Sequence, residues 1–242
     1  MNLRYGRKSR MPGSVILPVL LLVLIGGALF VLSDRNTDGA QSFAAPAGEA
    51  EDEALQAMEK FADDAFKIFI DPGHGGKDPG TTGVSGVEEK ISNLALAAKV
   101  YELLSEEPSF EPRLSRTDDS FVDLDERALV ANAWGADAFI SIHGNSYEDP
   151  SVSGTETYYS RPDGMALART IHDRLVQATR LEDRGVREQR LQVLALSDMP
   201  AILIETGYLS NPNDEAAMLN EQSQSVAARA IVDGLKQYFG VE

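Results

Sequence analysis

Beyond residue 66 the chain alternates short apolar runs with longer stretches in which apolar positions recur every three or four residues. Runs bounded by Gly, Pro, Asp or Ser predict strands, and the wider spacing predicts amphipathic helices. Strands are expected at Lys67 to Asp71, Glu111 to Ser115, Ala138 to His143, Thr155 to Ser160, Gln192 to Leu196 and Ala201 to Glu205. Helices fit Glu88 to Ser105, Leu124 to Trp134, Gly164 to Thr179 and Ser223 to Phe239. In the first of these Ile91, Leu94, Ala95 and Ala98 share one face and read as a core stripe. Strands alternating with helices predict one three-layer α/β domain over residues 67–242, with a mostly parallel or mixed central sheet and helices on both faces.

The N-terminal part has a different pattern. Residues 1–14 carry Arg4, Arg7, Lys8 and Arg10 and no acid, and an unbroken apolar run follows from Val15 to Leu32. At ~1.5 Å per residue this run is roughly 27 Å long as a helix, close to the ~30 Å hydrocarbon core of a bilayer. It predicts a transmembrane signal anchor at 15–32, with the basic flank cytoplasmic and the rest of the chain outside. A cleaved signal peptide, leaving a secreted or periplasmic protein, is the rival reading, although the run exceeds the usual ~7–15 residue signal core. Residues 33–66 are rich in Ala, Gly, Asp and Glu and read as a solvated acidic linker, with room for a short helix over Glu51 to Ala65.

Charge and composition narrow the chemistry. The 242 residues include 22 basic and 38 acidic side chains, a formal net charge of −16 that argues against nucleic-acid binding. There is no cysteine, which excludes disulfides, thiolate metal sites and a cysteine nucleophile together, so a bound metal must be held by His, Asp or Glu.

The chain has three histidines, and one sits in the glycine-rich stretch "KIFIDPGHGGKDPG". His74 there lies just past a predicted strand, His143 closes a second in "AFISIHGNS", and Glu205 closes a third in "PAILIETGYLSNPNDE". In open α/β sheets ligands bind outside the carboxyl ends of the strands, so the three segments deliver His, His and Glu to one place. Glu89 opens the helix after the His74 loop and is well placed beside a cation, with Glu88 as its competitor. Two histidines and one glutamate are a known catalytic zinc set, leaving a glutamate for proton transfer. Spacing alone leaves open which glutamate does which, and Glu205 could also cap the following turn. His172, in "ARTIHDRLV", reads as a solvated surface histidine; Arg127 and Asn132 read as scaffold. Asn145 could touch substrate or orient His143, Pro72 and Pro200 shape chain entry into loop and strand, and Tyr208 and Asn211 sit at the rim.

Taken together, "IDPGHGGKDPG", "EEKISNLAL", "SRTDD", "LDERALVANAWGADAFISIHGNS" and "MPAILIETGYLSNPNDE" resemble the zinc-dependent N-acetylmuramoyl-L-alanine amidases, over Ile68 to about Phe239. The resemblance implies one Zn2+ per chain held by His74, Glu89 and His143, with Glu205 as catalytic acid/base. It also implies peptidoglycan as substrate, cut between N-acetylmuramic acid and L-alanine. Some relatives carry a helix between the second histidine and the catalytic glutamate that blocks the metal; here Glu148 to Ser153 leads at once into the strand "GTETYYS" and no segment before Glu205 is long enough for one, so an open site is expected. The anchor would place the domain beside the cell wall as a monomer, with cell-envelope proteins as candidate partners. A metal-dependent hydrolase of a different amide is the competing enzyme reading, and a silent wall-binding protein is the non-enzymatic one. Dinucleotide binding is excluded because "GHGGKDPG" does not fit G-x-G-x-x-G.

Overall fold

The computed structural model describes residues 65–241. The basic flank, the apolar run expected to cross the membrane and nearly all of the linker lie outside the described residues. Among the described residues no helix is long and apolar enough to cross a membrane.

The described strands are β1 (Phe66–Pro72), β2 (Phe110–Leu114), β3 (Ala138–Asn145), β4 (Thr155–Tyr159), β5 (Asp183–Glu188) and β6 (Ala201–Tyr208). They form one sheet in the order β2-β1-β3-β6-β4-β5. β2, β1, β3 and β6 run parallel, β4 is antiparallel to β6, and β5 is parallel to β4. The helices are α1 (Glu89–Ser105), α2 (Leu124–Trp134), α3 (Gly164–Thr179), α4 (Gln192–Ala195), α5 (Pro212–Leu219) and α6 (Glu221–Phe239).

Central parallel strands bury both faces, which is why β1, β3 and β6 are apolar almost throughout. Ile68, Ile70, Ile140, Ile142, Ile202 and Ile204 face one core, filled from α1, α3 and α6 by residues such as Leu96, Val100, Ile171, Leu175, Ile231 and Leu235. Phe69, Phe139 and Leu203 face the other, covered by Ala131 of α2 and by Val193 and Leu194 of α4. The result is the expected α/β domain of three layers with a mixed sheet.

Five local expectations need correction. Residues Gln192 to Leu196 form α4 and not a strand, because a short apolar run fits either state and only a helical turn sets Val193 and Leu194 together against the sheet. The sixth strand is instead β5, whose sequence "DRGVRE" has no apolar run to betray it: it pairs at an exposed edge with a register shift. An additional helix, α5, starts at Pro212 with the Asn211 side chain accepting from the backbone of Asn213 and Asp214. In α1 the buried face runs through Ser92, Asn93, Leu96, Ala97, Val100 and Leu104, and Ile91 is 53% exposed. The stripe is rotated because Ser92 and Asn93 are buried there as polar residues, bonded to Glu89. β1 also begins one residue early, at Phe66, inside the expected linker.

One polar cluster fastens the sheet to the loop that follows β1. Asp71 is fully buried and accepts from Ser115, Ser141 and the guanidinium of Arg127 at 2.6, 2.8 and 2.7 Å. Arg127 also donates to the carbonyls of Pro72 and His74 at 2.9 and 2.8 Å. A buried ion pair loses most when one partner is removed and the other is left uncompensated. Arg127→Ala is therefore expected to destabilise the fold by about 3–5 kcal/mol, read as a lower denaturant midpoint in equilibrium unfolding.

Candidate active site

The parallel strands end on one side of the sheet, and the chain delivers its titratable groups there. Pairing continues one residue past β1, where Gly73 N–H donates to Ile142 at 3.0 Å, and the backbone then turns through His74 at φ +62°. A left-handed non-glycine residue is uncommon and is kept only when its surroundings hold it. Here Asp78 takes the imidazole (Nδ1 to Oδ2, 2.8 Å) and Arg127 takes the His74 carbonyl. Gly73 has no alternative, since a Cβ there would lie 2.2 Å from the His143 ring. Gly80 is under the same constraint, 2.5 Å from a Glu89 oxygen.

Glu89, the first residue of α1, is 4% exposed and points into the site. Glu88 is partly exposed and pairs with Lys90 at 3.2 Å, so of the two only Glu89 belongs to the cluster. Glu89 Oε1 lies 3.1 Å from His74 Nε2 and 3.0 Å from His143 Nδ1, with Gly144 N–H and Asn93 Nδ2 each at 3.1 Å. Its other oxygen accepts from Thr81 N–H at 2.9 Å. The two imidazoles meet edge to face with centroids 4.8 Å apart. One atom from each of His74, Glu89 and His143 lies within 4.8 Å of the others, which makes this a group able to hold a metal ion.

The electrostatics match this crowding. Burial favours the neutral forms of both partners, but the hydrogen bonds outweigh it. Contacts to His143 and His74 hold the Glu89 carboxyl below the usual carboxylate range. For His74, burial alone would lower the pKa, yet the bond to Glu89, helped by Asp78, pushes it up to about 9.

Glu205 sits one strand over, registered directly opposite His143 on β3 and Glu156 on β4. Its Oε2 is buried with no hydrogen-bond partner. Desolvation pushes its pKa up to about 7; the charges of Glu89 and Glu156 act in the same direction and His143 and His74 oppose them. Glu156 is a different case, 2% exposed and bonded by Tyr158, by Tyr208 at 2.9 Å and by Arg184 at 2.8 Å. Burial raises its pKa, but these donors and Arg187 bring it below the ordinary value.

Sequence reading missed four members of this neighbourhood, Asp78, Glu156, Arg184 and Arg187. Asp78 could have been found four residues after His74 in the same loop. Glu156 shows only as an acid at an inward position of "TETYY", and the arginines lie on the strand that had no apolar signal. The reading of His172 as a surface residue is incorrect: it is 2% exposed, bonding Thr157 of β4 at 3.0 Å and Asp183 of β5 at 2.9 Å. Its charged sequence neighbours concealed that one helical face packs on the sheet. Arg127 braces the loop as described, and Asn132 holds the loop after α4 through Leu196 O and Asp198 N–H. Asn145 faces Glu156 at 3.5 Å, Tyr208 is buried against Glu156, and Asn211 caps α5. Residues 146–154 join β3 to β4 without a helix, so no such element covers the His74, Glu89 and His143 group from that connection.

A fold of this class, with two histidines and a glutamate at the strand ends and a second glutamate opening the first helix, has recognisable relatives. The model of the Amidase_3 family, described as N-acetylmuramoyl-L-alanine amidase, matches residues 68–237. A sporulation-specific N-acetylmuramoyl-L-alanine amidase of Bacillus subtilis is 38% identical over 185 residues, 73% of this chain and 69% of that protein. A probable cell wall amidase, LytH, of Staphylococcus epidermidis is 37% identical over 174 residues, 71% of this chain and 58% of its own length. The solved catalytic domain of CwlV, an N-acetylmuramoyl-L-alanine amidase from Bacillus (Paenibacillus) polymyxa var. colistinus, superimposes with a TM-score of 0.72. It is 42% identical, and the match covers 73% of this chain and 99% of that domain. The chain belongs to the N-acetylmuramoyl-L-alanine amidase family. It is an enzyme that hydrolyses the amide joining N-acetylmuramic acid to L-alanine in cell-wall peptidoglycan.

The raised Glu205 pKa has a measurable cost. In the chain stripped of metal, a carboxylate with a folded pKa of about 7 against an unfolded value near 4.5 is unpenalised below pH 4.5, increasingly penalised between the two and fully penalised above pH 7. Glu205→Gln is therefore expected to raise the melting temperature at pH 8 and leave it unchanged near pH 4, as measured by calorimetry of the chelator-treated protein.

Proposed function

We propose that His74, Glu89 and His143 hold one Zn2+ and that Glu205 is the acid/base of the amidase reaction. We further assign residues 15–32 as the membrane anchor, 33–65 as the linker and 66–242 as the catalytic domain, acting outside the cytoplasm. The observation that carries the site assignment is convergence: three independent segments bring donor atoms within 4.8 Å, beside an acid whose pKa burial has moved to about 7. The donor set fits a cation. Four nitrogens lie within 3.1 Å of Glu89 Oε1, more than two lone pairs can serve, and a cation shared with the imidazoles relieves that crowding.

When bound, the ion supplies Lewis-acid polarisation of the scissile carbonyl and lowers the pKa of water toward ~7. The remaining steps belong to the protein. Asp78 accepts the Nδ1 proton of His74, which leaves the Nε2 lone pair facing Glu89. Glu205 accepts a proton from the attacking water as the oxygen bonds to the carbonyl carbon. It then returns that proton to the nitrogen of L-alanine as the C–N bond breaks. The acid's mostly buried position keeps it partly protonated near neutral pH, so one group can serve both transfers. Anchoring by residues 15–32 would hold the domain where the wall polymer lies.

In the full-length chain, wild type and Glu205→Ala are each expected to bind one zinc, while Glu205→Ala loses about 10²–10⁴-fold in kcat for release of L-alanine amino termini from purified peptidoglycan. His143→Ala is expected to lose the zinc as well, and equal metal content in all three would refute the ligand assignment. Because His74 is raised to about 9 it must shed its proton to bind metal, so zinc affinity is expected to rise between pH 6 and 9. Calorimetric titration in buffers of different ionisation enthalpy would register the released proton.

A further inference from the structure

The sheet face beyond Glu205 is lined unlike the rest of this acidic chain. His143 on β3, Glu205 on β6 and Glu156 on β4 lie side by side in register, and beyond them β5 turns two arginines onto the same carboxylate. Arg184 Nε donates to Glu156 Oε1 at 2.8 Å, and its guanidinium lies 5.3 Å from the centre of the Tyr208 ring. Arg187 Nη1 lies 3.5 Å from the same oxygen, and its Nη2 donates to the Arg184 carbonyl at 3.1 Å. Two guanidiniums against one carboxylate leave an excess positive charge, and between them they carry ten N–H groups, far more than these contacts use. The Arg187 side chain is half exposed. The strand that carries them is locked from behind, since Asp183 binds the buried His172 and the backbone of Gly185.

We propose that Arg187, with Arg184 beside it, forms a subsite for a carboxylate on the peptide half of the substrate. This deepens the amidase reading and rests on it for the position of the scissile bond. Neighbouring strands are ~4.8 Å apart, so side chains meeting Glu156 stand roughly 10 Å across the sheet from the His143 position. An extended peptide advances about 3.3–3.6 Å per residue, which places the carboxylate two or three residues beyond the scissile amide. The glycan of peptidoglycan is uncharged once the lactyl carboxyl is in amide linkage, whereas the stem peptide carries free carboxylates. A cationic end to the groove therefore selects the direction in which the peptide lies. Glu156 acts as a positioning residue: it is buried and holds both guanidiniums, one of which is exposed enough to take a second, incoming carboxylate in a forked contact.

The test uses the full-length chain with two synthetic muramoyl-L-alanyl tetrapeptides, one with free carboxylates at the second and third residues and one with both as carboxamides. A charge-assisted contact should give wild type a roughly 10- to 100-fold preference in kcat/KM for the acid form, carried mainly by KM. Arg187→Gln should collapse that ratio toward unity, and Arg187→Lys should restore part of it. Direct binding of the released peptides, measured by calorimetry, should show the same order. Equal rates on both substrates in wild type, or a ratio unchanged in Arg187→Gln, would overturn the subsite while leaving the amidase reading intact. Cleavage of neither substrate with tighter binding of the acid peptide would support the subsite and sink the amidase reading. An unfolded variant is distinguished by its circular dichroism, and in that event the wild-type ratio and peptide binding decide the matter.

Discussion

A single buried carboxylate organises the active end of this molecule. Glu89 is withdrawn from water at the first turn of α1, lies within 3.1 Å of a nitrogen of each of two histidines, and accepts from the backbone of Thr81 and Gly144 and the side chain of Asn93. A charge in that position is tolerable only while its partners stay in place, so everything that fixes them becomes part of the site. Gly73 and Gly80 must lack side chains, His74 must take a left-handed backbone, and Arg127 must hold the loop from beneath. The same constraint explains Asn93 on the buried face of α1. It sits where an apolar side chain would pack better and gives its amide to the Glu89 carboxylate and the Gly73 carbonyl.

The sheet gives the second organising fact. Its strand order sets His143, Glu205 and Glu156 on adjacent strands of one face, each in a different environment. Identical carboxyl groups on β6 and β4 are driven apart by their surroundings. Glu205 keeps an oxygen with no partner and is pushed up; Glu156 is surrounded by donors and stays ionised. Separation of this kind lets one scaffold hold a carboxyl that exchanges its proton near neutral pH and a fixed anchor a strand apart.

Much of this was legible in the residues. The long apolar runs of β1, β3 and β6 announced buried parallel strands, and three such strands ending in His, His and Glu announced their convergence. What stayed hidden lacked an apolar signature. β5 is an edge strand dominated by charged residues, held by pairing to β4 and by its polar side chains, Asp183 on His172 and Arg184 on Glu156, rather than by an apolar face. His172 looked solvated because Arg169, Asp173 and Arg174 lie close to it in sequence, yet a helix buries one face only. α4 misread as a strand because its few apolar residues do not span a period. Asp78 and Glu156 act through contacts that spacing does not reveal, one across a turn and the other across the sheet.

The central claim is that two imidazoles and one carboxylate bind the metal. X-ray absorption at the zinc edge of the loaded full-length chain tests it most directly. A first shell near ~2.0–2.1 Å containing two imidazoles with the balance in oxygen would agree with His74, His143 and Glu89. The chain has three histidines, so a shell with three imidazoles would bring in His172 and contradict the assignment, as would a shell with none.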